Sequence, residues 1–122
     1  MKKIVAVIAL LACGAGLARD AQLWKFEYRP FKGEYHIYGG MLGEQTAPTR
    51  RSRNIAYQVK GPVAEQMFEA MGPDLKDVCG AEGGQRIRQR AEVSCLFHPK
   101  DGYSCSFGFD LVTGRSIAGT QC

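Results

Sequence analysis

Imidazole chemistry has little to work with in this chain: there are two histidines, His36 and His98, in 122 residues. His98 stands before Pro99 in a turn-like stretch, and His36 lies among aromatics. No Cys-x-x-Cys occurs, and the separations of 16, 10 and 17 between Cys79, Cys95, Cys105 and Cys122 fit no common zinc spacing, so no metal is expected. The glycine-rich stretch Cys79 to Gly84 lacks the lysine and following Ser or Thr of a phosphate-binding loop. Acidic residues are scattered, with no pair that spacing alone brings together. No catalytic residue and no cofactor are therefore nominated, and the chain does not read as an enzyme. Long apolar runs are missing too. The longest, Ile4 to Ala12, has nine residues, too few to cross a bilayer as a helix.

That run has a different use. Met1-Lys2-Lys3 precedes it and the small residues Cys13 to Ala18 follow, which is the layout of a bacterial secretory signal. Residues 1–18 read as the signal and 19–122 as one exported domain, periplasmic or secreted. Leu10-Leu11-Ala12-Cys13 resembles the lipobox of bacterial lipoproteins, which would imply lipidation of Cys13 and a membrane-anchored product. Leu11 is bulkier than the small residue usual at its place, Cys13 comes early, and Gly16 with Ala18 offers an ordinary cleavage site, which we prefer.

Without its signal the chain carries 14 basic and 12 acidic residues, a balance that by itself asks for no polyanionic partner; nucleic acid is not expected. Four of the five cysteines remain, Cys79, Cys95, Cys105 and Cys122. An even set in an exported chain is a disulfide framework of two bridges. A tight turn at Thr113-Gly114 would bring Cys105 opposite or diagonal to Cys122, so the preferred pairing is Cys105 with Cys122 and Cys79 with Cys95. Cys95 with Cys105 across a hairpin is the rival.

Alternation is clearest from Tyr103 to Leu111, where Tyr103, Cys105, Phe107, Phe109 and Leu111 share one face and Ser104, Ser106, Gly108 and Asp110 the other. Further strands are expected at Leu23 to Arg29, stopped by Pro30, at Tyr35 to Tyr38, ended by Gly39-Gly40, and at Ile55 to Lys60. Two more run from Arg86 to Phe97 and from Arg115 to Gln121. In the first of these, Ile87, Val93, Cys95 and Phe97 should face in and Arg86, Arg88 and Arg90 out. Pro62 to Met71 is the one helix, with proline at its first position, Gly72 as a left-handed cap, and Val63, Ala64, Met67, Phe68 and Met71 on one face. The sum is an α+β domain: a small antiparallel sheet of about five or six strands, one helix packed on one face, and two disulfides.

Gly43 to Asn54 has no apolar periodicity and should form an exposed loop carrying Arg50, Arg51 and Arg53. With staples, exposed loops and no reactive constellation, the leading expectation is a small exported protein that binds another envelope or secreted protein through its surface, as an inhibitor, immunity or accessory factor. The alternative is a binder of anionic polymers or lipid headgroups through Arg50, Arg51, Arg53, Arg86, Arg88 and Arg90. Fractionation with intact mass tests export. A product starting at Arg19 is expected; an uncleaved cytoplasmic chain would overturn it, and a diacylglycerol mass on Cys13 would replace ordinary cleavage by lipidation.

Overall fold

A computed structural model of the protein describes residues 26–78 and 81–121. Its elements, in chain order, are β1 (Lys32–Met41), β2 (Glu44–Thr46), β3 (Asn54–Lys60), α1 (Pro62–Ala70), β4 (Arg86–Arg90), β5 (Val93–His98), β6 (Gly102–Asp110) and β7 (Ser116–Ile117). The strands form one sheet in the order β2-β1-β3-β6-β5-β4, with β7 added to β6, and every pairing is antiparallel. The architecture is α+β, a mostly antiparallel sheet of seven strands with one helix, against the five or six strands expected. The signal region, Cys13, Cys79 and Cys122 lie outside the described residues.

Register explains where the core sits. Cα partners Val59↔Cys105, Cys95↔Cys105 and Phe97↔Tyr103 bring the apolar alternates of β3, β6 and β5 side by side on one face. Onto that face α1 lays Ala64 and Phe68, both fully buried, with Met71 behind them. Pro62 opens the helix as expected, where its missing N–H is one the helix would leave unbonded anyway. Phe68 packs against Tyr103 at 5.2 Å between ring centroids, and Tyr103 against Phe97 at 4.9 Å.

Several expectations need correction. The run Arg86 to Phe97 is two strands rather than one, because the chain turns back at Ala91-Glu92 with Arg90↔Val93 paired and Ala91 at φ 47°. Pairing Arg86↔Phe97 and Arg88↔Cys95 puts the arginines on the helix side of the sheet, and Ile87 and Gln89 on the other. Arg-Ala-Glu-Val carries no glycine or asparagine, so the turn left no mark in the sequence. Gly39-Gly40 does not end β1. Gly39 lies so close to Ala47 O, 2.6 Å from where a Cβ would sit, that β1 continues and folds back into β2 within the expected loop. Phe26 to Pro30 forms no strand. The last strand shrinks to two residues, since the chain leaves β6 after Ile117 and crosses its backbone. Gly119 makes this possible, because a Cβ there would stand 2.5 Å from Phe107 N and O.

Among the described residues one disulfide is seen, Cys95–Cys105, joining directly opposed residues of β5 and β6 at a Cα separation of 4.0 Å. It replaces the preferred pairings of Cys105 with Cys122 and of Cys79 with Cys95. The tight turn at His98 to Gly102 fixes the two cysteines across from each other, and no rearrangement is needed to join them. The bond is fully buried beneath α1, with Cys105 Sγ 3.4 Å from Ala64 O. Replacing both cysteines by alanine should lower unfolding free energy by about 2–3 kcal/mol, the chain-entropy value for so short a loop. Denaturant melting measures it, and a loss below about 0.5 kcal/mol would contradict the entropic account.

Candidate functional site

The six arginines named from the sequence divide into two groups. Arg86 and Arg88 lie over the Phe68 ring, 5.2 and 4.2 Å from its centroid, so their planar cations stack on an aromatic face. Both grip Asp74. Arg86 Nε donates to Asp74 Oδ2 and Arg88 Nε to Asp74 Oδ1, each at 2.7 Å. Arg88 Nη1 also donates to Phe68 O and Met71 O at 2.9 Å, and Arg90 Nη2 donates to Gly72 O. These carbonyls close α1, whose expected left-handed glycine cap is absent: Met71 is extended, and the arginines of β4 satisfy the helix end instead. Arg50, Arg51 and Arg53 belong to the other group. They are exposed in the segment between β2 and β3, which is pinned by Thr49 Oγ1 accepting from Ser52 N, and they make no ion pair among the described residues.

Two arginines on one carboxylate hold the Asp74 pKa at about 2, through the hydrogen bonds from Arg86 and then Arg88. His36 Nε2 is 2.7 Å from Gln45 Oε1, and His98 Nδ1 accepts from Lys100 N beside Asp101. Cys95 and Cys105 are joined to each other. Among the described residues no group of three or more His, Cys, Asp or Glu could hold a metal ion.

Two surfaces stand out. On the helix side, α1 covers only the half of the sheet around Val59, Cys105 and Cys95. The other half remains open: Tyr35, paired with Tyr57, is 69% exposed, and Ile37, paired with Ile55, is 41% exposed. Tyr57 stacks on Phe107 at 5.2 Å, and Phe109 meets both edge-on. The stripe borders the side of β1 away from β3, where Lys32 to Tyr38 have no neighbouring strand among the described residues.

The opposite face of the sheet carries a row of polar side chains. Cα partners Gln89↔Ser94, Ser94↔Ser106 and Ser106↔Gln58 line up straight across four strands, and Glu34↔Gln58 extends the row to β1. This row and the row beside it, Ile87↔Leu96↔Ser104, form the floor of a trough of about 410 Å³, bordered by Leu75 and Val78 on one side and by the chain from Ala118 to Gln121 on the other. The sequence placed Ser104 and Ser106 on the side away from the core but could not align them with Gln58 and Gln89, because that requires the register of four strands.

Comparison with protein-family models, curated proteins and solved structures finds no match for this chain. No helix among the described residues is long and apolar enough to cross a membrane.

The Asp74 carboxyl ionises at about 2 when folded, below its ordinary 3.8, so the unfolded chain takes up that proton more readily. The stabilisation is complete above the ordinary value and is lost as pH falls through about 2. The gap in melting temperature between the protein and Asp74→Asn should therefore stay constant above about pH 5 and close on acidification; a gap that persists at pH 2 would refute the arginine clamp. Arg88→Ala, which strips a half-buried cation from three acceptors, should cost about 2–4 kcal/mol in denaturant melting, against less than about 0.5 for Arg50→Ala.

Proposed function

We propose that the protein is a small exported binding protein, periplasmic or secreted, that acts through a protein surface and has no catalytic role. The observation that carries this reading is the uncovered half of the helix-side sheet face. A two-layer domain buries its apolar sheet face under helices, yet here α1 leaves Tyr35, Ile37 and Phe109 in solvent, continuous with the exposed Leu111 and Val112. Tyrosine and phenylalanine at the centre of such a patch supply large contact area with few rotors to freeze. Among the described residues the adjoining edge of β1 has no strand beside Lys32 to Tyr38, and an extended segment of a partner could bond there.

The exported setting also calls for a second bridge, between the two cysteines that Cys95–Cys105 leaves over. Those two are Cys79 and Cys122, and their pairing completes the framework of two bridges. Forming it releases two protons and passes two electrons to the disulfide of a thiol-exchange partner. Peptide mapping without reduction should yield both cross-links, and an alkylatable Cys79 in the native product would remove the second.

Binding of anionic polymers or headgroups is the alternative, and Arg50, Arg51 and Arg53 alone support it, because the guanidinium groups of Arg86 and Arg88 are engaged by Asp74 and Phe68. The deciding experiment is a pull-down of the oxidised protein from envelope extract at low and physiological salt. A protein partner retained at both concentrations and weakened about tenfold by Tyr35→Lys supports the apolar surface. Material lost at the higher salt and with Arg50, Arg51 and Arg53 changed to serine, but indifferent to Tyr35→Lys, would replace this reading by the anionic one.

A further inference from the structure

We infer that the trough on the face of the sheet opposite α1 is a second, independent binding site, and that its ligand is a neutral oligosaccharide lying across the strands. Its floor sets a row of side chains that both donate and accept beside the apolar side chains of Ile87 and Leu96. Gln89, Ser94, Ser106 and Gln58 stand in one row, each on the next strand, and Ser104 follows Ser106 one position along the same face. Adjacent strands are 4.7–4.9 Å apart, so the four stations span about 14 Å.

Of these groups only Gln89 is used by the fold, its Nε2 donating to Ala91 O. No hydrogen bond within the described residues involves the side chains of Gln58, Ser94, Ser104 or Ser106, and no buried side-chain polar atom lacks a partner. Ser106 is the one buried polar residue, and its hydroxyl consequently opens into the trough rather than into the core.

The chemistry of the lining selects the ligand class. No lysine or arginine lines the trough, and its one carboxylate, Glu92, is exposed at the rim, so neither a phosphate nor an ammonium group finds an ion-pair partner on the floor. Hydroxyls that donate and accept are matched by ligand hydroxyls that do the same. Ile87 and Leu96 on the floor, with Leu75 beside them, provide apolar surface for the C–H faces of sugar rings. An extended peptide fits less well. Its residues repeat every 3.2–3.4 Å, with side chains on one face at about twice that, out of step with stations 4.7–4.9 Å apart, and peptides join sheets at their edges rather than across their faces. The volume of about 410 Å³ falls within the range of small-ligand sites.

The test is a heteronuclear NMR titration of the purified, oxidised protein with three neutral trisaccharides, chitotriose, cellotriose and maltotriose, and with a capped neutral tetrapeptide of alanine and serine. At least one trisaccharide should shift the signals of Gln58, Gln89, Ser94 and Ser106 while leaving those of Tyr35 and Phe109 unmoved. The double change Ser94→Val with Ser106→Val should weaken that binding about tenfold, the loss of two ordinary hydrogen bonds. Gln58→Leu, at a half-buried position, gives the same readout if the double variant fails to fold. The site is overturned if no trisaccharide shifts these residues up to about 10 mM, beyond the weak end of useful affinity. It is equally overturned if the shifts map to the helix-side face, if only the tetrapeptide binds, or if the variants bind as the unaltered protein does. None of these results depends on whether a protein partner occupies the apolar stripe.

Discussion

Arg88 is the residue on which the two layers of this protein depend. Its guanidinium lies over the ring of Phe68, the largest fully buried side chain of the helix, and the same group bonds the carbonyls of Phe68 and Met71 and the carboxylate of Asp74. A single planar cation thus fastens an edge strand, a helix end and the connection between them. A lysine could not do this, because its ammonium offers no flat face and no fixed fork of donors. The helix is short, nine residues, and would not persist on propensity alone. It is held by burial of Ala64 and Phe68 against the sheet and by the arginines at its open end.

How much could be read from the sequence follows from what each element owes to its neighbours. β6 and α1 were legible because their patterns are local: alternation from Tyr103 to Phe109, and apolar spacing after Gly61-Pro62. The chain from Arg86 to Phe97 was misread because alternation cannot report a turn made by residues with no turn signature. Ala91 adopts a left-handed backbone that glycine or asparagine would have advertised. That single missed reversal inverted three arginines from solvent to the helix side. The polar row was invisible for a different reason. Gln58 and Gln89 are thirty-one residues apart in sequence, and only the pairing of β3, β6, β5 and β4 in that order brings them into line.

The two faces of the sheet have contrasting characters that come from one cause, the small size of the helical layer. One helix of nine residues can shield the centre of the sheet but cannot reach β1, which leaves Tyr35 and Ile37 uncovered. Among the described residues the reverse face carries no helix. It is partly roofed by irregular chain after β7, and irregular chain brings its own unpaired backbone groups, which the hydroxyl and amide row beneath it can accommodate.

Alternation also leaves an ambiguity that the Cys95–Cys105 bond removes. Sliding β5 along β6 by one residue would turn every side chain to the wrong face, but sliding it by two would keep all faces intact and change only who stands opposite whom. In a strand pair with serines at Ser94, Ser104 and Ser106, such a slip would sacrifice little burial. A covalent link between directly opposed residues forbids it. Because Ser94↔Ser106 are the next pair beyond Cys95↔Cys105, the buried sulfurs on one side of the sheet act as a ratchet stop for the hydroxyls on the other.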